Sequence, residues 1–144
     1  MGARSIRTGL DAGGRGTAMA DFDGDVDLDV LINNLRSSSQ VFENQLCCGH
    51  SLLVDLRQAG GGDTRALGAE LLLHTTKGTL RRSVQAAGDY LSGRSARQHF
   101  GLPFGSRIVS LEVIWPDNTV SKIDWRPFQQ VRRLTITRIP PRTN

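Results

Sequence analysis

The sequence has only two cysteines, Cys47 and Cys48, and they are adjacent. Neighbouring cysteines cannot tie distant segments together, and a bridge between them would need a strained peptide geometry. No second pair of soft ligands accompanies them, so the expectation is two small buried thiols rather than a zinc site. Aromatic residues are scarce, at 6% with a single tyrosine, and none sits in the aromatic-glycine motif of an RNA-binding sheet. The chain contains no run of 18 apolar residues, which excludes a membrane-spanning helix. Its first residues, Met1-Gly2-Ala3-Arg4-Ser5-Ile6-Arg7, lack the apolar stretch of a secretory signal, so export would depend on sequence outside this chain. Ile6 also breaks the myristoylation pattern. No sustained 3.6-residue apolar period occurs, and a short turn at Pro127–Gln130 is the only helical candidate.

What is present is a 144-residue chain with 38% hydrophobic residues, enough for one ordinary domain with a core. Net charge is +4, divided as −3 over residues 1–50 and +7 over residues 51–144. The basic residues stand singly or in pairs, such as Arg81-Arg82 and Arg132-Arg133, and never form a block. That spacing describes a solvated arginine-rich surface, and no nucleic-acid partner is expected.

Period-two alternation bounded by turn residues predicts a series of short strands. Residues 8–16 are glycine-rich and read as a flexible leading loop. Strands follow at Thr17–Ala20, Leu28–Asn33 and Gln40–Glu43. A boundary falls between Asn44 and Ser51, which divides the chain into residues 1–46 and 47–144. Further strands are expected at Leu52–Leu56, Ala69–Thr76, Leu80–Gln85, Arg107–Trp115, Thr119–Ile123 and Val131–Ile139. Lys77-Gly78 is the expected hairpin turn. Gln58–Thr64 reads as a loop, and Ala86–Gln98 as polar and irregular. In the clearest strand Val109, Leu111, Val113 and Trp115 point inward while Ser110 and Glu112 point outward. Pro116-Asp117-Asn118 is a strong turn, because proline presets the first corner and asparagine tolerates positive φ. The fold class is therefore all-β, a small sandwich or barrel.

One stretch dominates the first segment. Asp21-Phe22-Asp23-Gly24-Asp25-Val26-Asp27-Leu28-Asp29 places five aspartates at alternate positions. Such a run repels itself unless a hard cation sits in its middle, and Ca2+ takes six to eight oxygen ligands. Counting Asp21 as position 1, carboxylates fall at Asp21, Asp23, Asp25 and Asp29, and Asp27 offers its backbone carbonyl. An EF-hand is excluded, because Ile32 stands at position 12 and strands, not helices, flank the loop. Val26 takes position 6, where a glycine is wanted for a left-handed turn, and a β-branched residue there is costly. Two readings stay open: a strand-flanked calcium loop, or a degenerate acidic turn that binds nothing.

Catalytic signatures are lacking. His50, His74 and His99 are far apart and show no ligand spacing, so each reads as a satisfied or surface imidazole. Gly93-Arg94-Ser95-Ala96-Arg97 misses the last glycine of a nucleophile elbow. Gly13-Gly14-Arg15-Gly16 has neither the lysine nor the following helix of a phosphate loop. Trp115, Trp125, Phe100, Phe104 and Tyr90 are the aromatics available for a sugar-binding face. The inward position of Trp115 assigns it to the core, leaving Tyr90 and Trp125 open.

Two stretches carry a family resemblance. Residues 16–34, the aspartate run followed by its apolar strand, resemble a propeller repeat of the FG-GAP/VCBS type. Residues from about His50 to Thr137 resemble the ASPIC/UnbV domain. Its matching pieces are Leu67-Gly68-Ala69, Asp89-Tyr90-Leu91-Ser92, His99-Phe100-Gly101-Leu102 and Val113-Ile114-Trp115-Pro116-Asp117-Asn118. The resemblance implies a partial propeller blade followed by a β domain. It also implies an extracellular or periplasmic setting and calcium ligands at Asp21, Asp23, Asp25, Asp27 (backbone) and Asp29. Only part of one blade is present where a propeller needs at least four. The leading expectation is a non-enzymatic binding or adhesion module for a protein or glycan ligand, with self-association through unpaired N-terminal strands. The alternatives are a structural domain that caps a propeller and an accessory protein of a biosynthetic pathway.

Overall fold

Among the described residues of the computed structural model, alternating apolar and polar residues produce eleven strands. The structure describes residues 4–5, 13–45, 50–59, 63–87, 93, 95–128 and 130–139. Cys47, Cys48 and the piece Asp89-Tyr90-Leu91-Ser92 lie outside the described residues, and with them the expectations placed there. The chain divides into two units, Met1–Gly49 with Ala86–Ser95, and His50–Gln85 with Ala96–Asn144.

The first unit is one four-stranded antiparallel sheet. Its strands are β1 (Arg4–Ser5), β2 (Gly13–Ala20), β3 (Asp29–Leu35) and β4 (Gln40–Glu43), in the order β1-β4-β3-β2. β2 starts at Gly13, so the glycine-rich segment is partly regular structure, contrary to the loop expected there. Its glycines pair with β3 across an irregularity between Gly14 and Gly16, where Cβ-free residues fit beside Ile32 and Asn34. Cross-strand registry sets Met19, Val30 and Phe42 in one row and Ala18, Leu31 and Val41 in the next. Neighbouring rows face opposite sides of a sheet, so both sides are apolar. None of these six side chains is fully buried; Met19 is 60% exposed.

The second unit stacks two sheets on one core. One runs β10-β9-β6-β7, built from β6 (Glu70–Thr75), β7 (Gly78–Ser83), β9 (Ile108–Ile114) and β10 (Val120–Asp124). The other runs β11-β5-β8, from β5 (His50–Gln58), β8 (Gln98–Leu102) and β11 (Arg133–Arg138). Leu52, Val54, Leu56 and Phe100 from the second sheet meet Leu71, Leu73, Leu111 and Val113 from the first in a single buried cluster. Each such side chain contributes roughly 1.5–3 kcal/mol on leaving water. The expected all-β sandwich is what forms.

Three local details depart from simple alternation. β6 pairs with β9 through Thr75↔Ile108 and His74↔Ser110, so Val109 is the extra residue of a bulge. The bulge turns Ile108 into the core and leaves Val109 51% exposed, reversing the inward position expected for Val109. The β6–β7 hairpin turns on Thr76 and Lys77, with Gly78 already paired to Thr75. β8 occupies part of the stretch read as irregular, and β11 pairs with β5 in parallel.

The family-like pieces have structural causes. Ala66 and Gly68 both take positive φ, and the Ala69 amide donates to the Ala66 carbonyl at 3.0 Å while Val84 and Ala69 bond across the turn. A glycine fits the second of these positions without steric cost. At Pro116-Asp117-Asn118, Asn118 has φ 63° and its amide reaches the Trp115 carbonyl at 2.8 Å. Asp117 accepts the Thr119 amide and hydroxyl and meets Arg138 at 2.6 Å. Arg138 also lies 5.4 Å over the Trp115 ring, whose indole N–H donates to Ser121. This motif braces a turn and seats a tryptophan; it is architecture rather than a binding face. Trp125, 1% exposed and tilted against Phe128, belongs to the same core, which removes it from any sugar-stacking face.

Candidate functional site

The acidic loop joins β2 to β3, and its aspartates are fixed by amide hydrogen bonds. The Gly24 amide donates to Asp21 at 2.7 Å, the Asp25 amide to Asp23 at 3.1 Å and the Asp27 amide to Asp25 at 2.9 Å. Aspartate favours such local side-chain-to-backbone bonds, which curl the chain instead of extending it. The curl brings one carboxylate oxygen each from Asp21, Asp23 and Asp25 within 4.8 Å of one another. A set of only oxygen donors matches the preference of Ca2+.

Asp29 does different work. It is 1% exposed, and its two oxygens accept the amides of Phe22 and Asn44, both at 2.8 Å. It therefore ties the start of the loop and the end of β4 to the start of β3. Asp27 is the anomaly. Both its carboxylate oxygens are buried with no hydrogen-bond partner. Burial, followed by the charge of Asp25 and then the charges of Asp29 and Asp23, pushes its pKa from 3.8 up to about 6. A buried carboxylate without donor or counter-charge is costly. Reading the sequence by position number gave Asp27 only a backbone role and missed this side chain; the signal was its place between two flanking aspartates.

Val26 takes φ 75° and Gly24 φ 92°. The left-handed turn expected to want glycine at position 6 is thus made with valine. Holding a β-branched residue there costs on the order of 1–2 kcal/mol. Val26 is also only 5% exposed, the one fully buried apolar side chain among the described residues of its unit. Burying it contributes roughly 1.5–3 kcal/mol, which offsets the strain.

The three histidines do not converge with this loop. They lie on separate strands, His50 on β5, His74 on β6 and His99 on β8. His74 bonds Thr79 at 2.9 Å and faces Glu112 at 3.7 Å.

Fold and site together define a class: a two-sheet β domain accompanied by a separate four-stranded sheet that carries an acidic loop. The chain belongs to the ASPIC and UnbV family, whose model matches residues 60–140. It is similar to cartilage acidic protein 1 of Xenopus tropicalis, 33% identical over 114 residues, covering 76% of this chain and 17% of the relative. Cartilage acidic protein 1 of Mus musculus and of Homo sapiens are each 36% identical over 115 residues, covering 75% of this chain and 17% of theirs. The chain thus spans about a sixth of the length of the curated relatives it matches. The matched share exceeds the family model's span, so the likeness continues beyond residues 60–140. No helix among the described residues is long and apolar enough to cross a membrane.

Proposed function

We propose that the chain is an extracytoplasmic binding module whose acidic loop holds Ca2+, carried on a propeller-type blade of the FG-GAP/VCBS kind ahead of the ASPIC/UnbV domain. The orphaned carboxylate of Asp27 is the observation that carries this reading. It follows the converging carboxylates of Asp21, Asp23 and Asp25 in the same loop and feels the charges of Asp25 and Asp23, and a cation there would supply the counter-charge that no described side chain provides. Asp21, Asp23 and Asp25 are the primary ligands, Asp27 contributes an oxygen, and Asp29 braces the loop and completes the acidic set. Calcium would fix the blade geometry from which a protein or glycan partner is engaged, as in adhesion-type repeats. Thermal melting of the full chain in chelator and in millimolar calcium tests the proposal. A rise in melting temperature that Asp23→Asn abolishes is expected; no shift in the wild type would sink it.

A second reading, a structural module that completes a larger propeller, is favoured by the first unit's sheet. Both its faces are apolar and incompletely buried, as a blade between two neighbours would be. Its edge strands also offer unpaired backbone to another chain. Concentration-dependent self-association by light scattering would support this route. A monomer at all concentrations would remove self-pairing while leaving the calcium reading untouched.

A further inference from the structure

Charge in the two-sheet unit is matched unevenly. The unit carries thirteen Arg and Lys against six Asp and Glu. Five acids sit in ion pairs: Asp55 with Arg57, Glu70 with Arg81, Glu112 with Lys122, Asp117 with Arg138, and Asp124 with Arg126. The sixth, Asp63, accepts the amides of Arg65 and Leu67. Arg107 and Arg132 have no carboxylate partner among the described residues, and both line one cavity of about 430 Å³.

The two arginines come from different sheets, and their backbones are fixed. Arg107, just before β9, exchanges bonds with Thr76, its amide donating to the Thr76 hydroxyl at 3.1 Å and its carbonyl accepting the Thr76 amide at 2.9 Å. Arg132, just before β11, accepts the Leu53 amide at 2.8 Å. Between them Ile108, Trp125 and Val131 supply apolar wall, and Ser106 supplies a hydroxyl that is buried with no partner. An unpaired buried hydroxyl is destabilising until something bonds it.

We propose that this cavity binds an acidic sugar, a pyranose bearing one carboxylate or sulfate. Guanidinium groups recognise such oxyanions through paired N–H donors. The cavity is far larger than one ion requires and lies within the range of small-ligand pockets. A sugar ring brings hydroxyls that the Ser106 oxygen, closed to the cavity as it stands, would meet by turning about its Cα–Cβ bond. A nucleobase would need an open aromatic face to stack on, and Trp125 is 1% exposed. The site belongs to the two-sheet unit and does not depend on the acidic loop or its calcium.

The test is an amide NMR titration of the full chain, in chelator and at constant ionic strength. The probes are glucuronate, glucose 6-sulfate, neutral glucose and inorganic sulfate. Both acidic sugars are expected to shift the amides of Ser106, Arg107, Val131 and Arg132, with glucose inert and inorganic sulfate at least about tenfold weaker. Arg107→Ala and Arg132→Ala should each raise Kd about tenfold or more. Ser106→Ala should weaken binding several-fold without lowering the melting temperature, which separates lost binding from lost folding. Glucose binding as tightly as glucuronate would overturn the proposal, as would sulfate matching the sulfated sugar. Wild-type affinity in both arginine variants would do the same.

Discussion

Replacing Asp27 by asparagine probes the acidic loop most sharply, because the expected sign changes with calcium. In the folded loop the Asp27 pKa is pushed from 3.8 to about 6, chiefly by burial and then by Asp25. Unfolded, the same carboxyl titrates near its ordinary value. Between these two values the folded chain holds the extra proton, so stability falls as pH rises from about 4 to about 6 and then levels. At 1.36 kcal/mol per decade of proton affinity the full displacement corresponds to roughly 3 kcal/mol. Asp27 is half-buried, and solvent screening brings the expected cost nearer 1–2 kcal/mol. Asparagine cannot ionise, so Asp27→Asn should recover that amount at pH 7.5 in chelator, roughly 2–8 °C in melting temperature. Carboxyl-carbon NMR of the wild type reads the cause directly. Its Asp27 midpoint should lie near 6 in chelator and fall below about 5 once calcium is added, since an adjacent cation favours the charged form. The variant, more stable without calcium, should gain less from it. An Asp27 midpoint in the ordinary aspartate range in chelator, or Asp27→Asn lowering stability there, would refute the reasoning.

Two further predictions concern the β domain. Trp125→Ala should cost about 3–5 kcal/mol in chemical denaturation, because it empties a large site in the core; a loss under 1 kcal/mol would remove Trp125 from that core. Asp117→Asn should lower the melting temperature at pH 7, since the Arg138 guanidinium first, and then the Thr119 hydroxyl, hold the Asp117 carboxyl well below the usual carboxylate range. A depressed folded pKa stabilises above the unfolded value of 3.8 and loses that effect as pH falls. The gap between wild type and variant should therefore narrow below pH 4, and a gap independent of pH would contradict the ion-pair account.

Where bonding is local, the sequence was readable. The hairpin of β9 and β10 follows from the alternation of Leu111, Val113 and Trp115 and from Asn118, which takes the positive φ of the turn. The aspartate run announced a curled acidic loop, because alternate aspartates bond the amides that follow them. Long-range pairing decided the rest. Gly13 and Gly14 carry no side chain to signal a strand and become one by pairing with Leu35 and Asn34. β8 shows a weak pattern, with only Gln98 and Phe100 fully buried, and it forms because β5 offers it an antiparallel partner. The parallel union of β11 with β5 joins residues about eighty positions apart, beyond any local period. One extra residue at Val109 reversed the inward face at the start of β9. The cavity between Arg107 and Arg132 had no sequence motif, because its residues come from segments separated along the chain.

Titrating calcium into chelator-stripped full-length chain by calorimetry tests the central claim most directly. The account predicts saturable binding of one ion, with a Kd in the range of about 10⁻⁴–10⁻³ M typical of extracellular modules. That affinity corresponds to about 1.4 kcal/mol of added stability at tenfold excess over Kd. Asp21→Asn and Asp23→Asn should each abolish the heat. Absence of heat from the wild type up to 10 mM calcium, or heat that survives both substitutions, would contradict it.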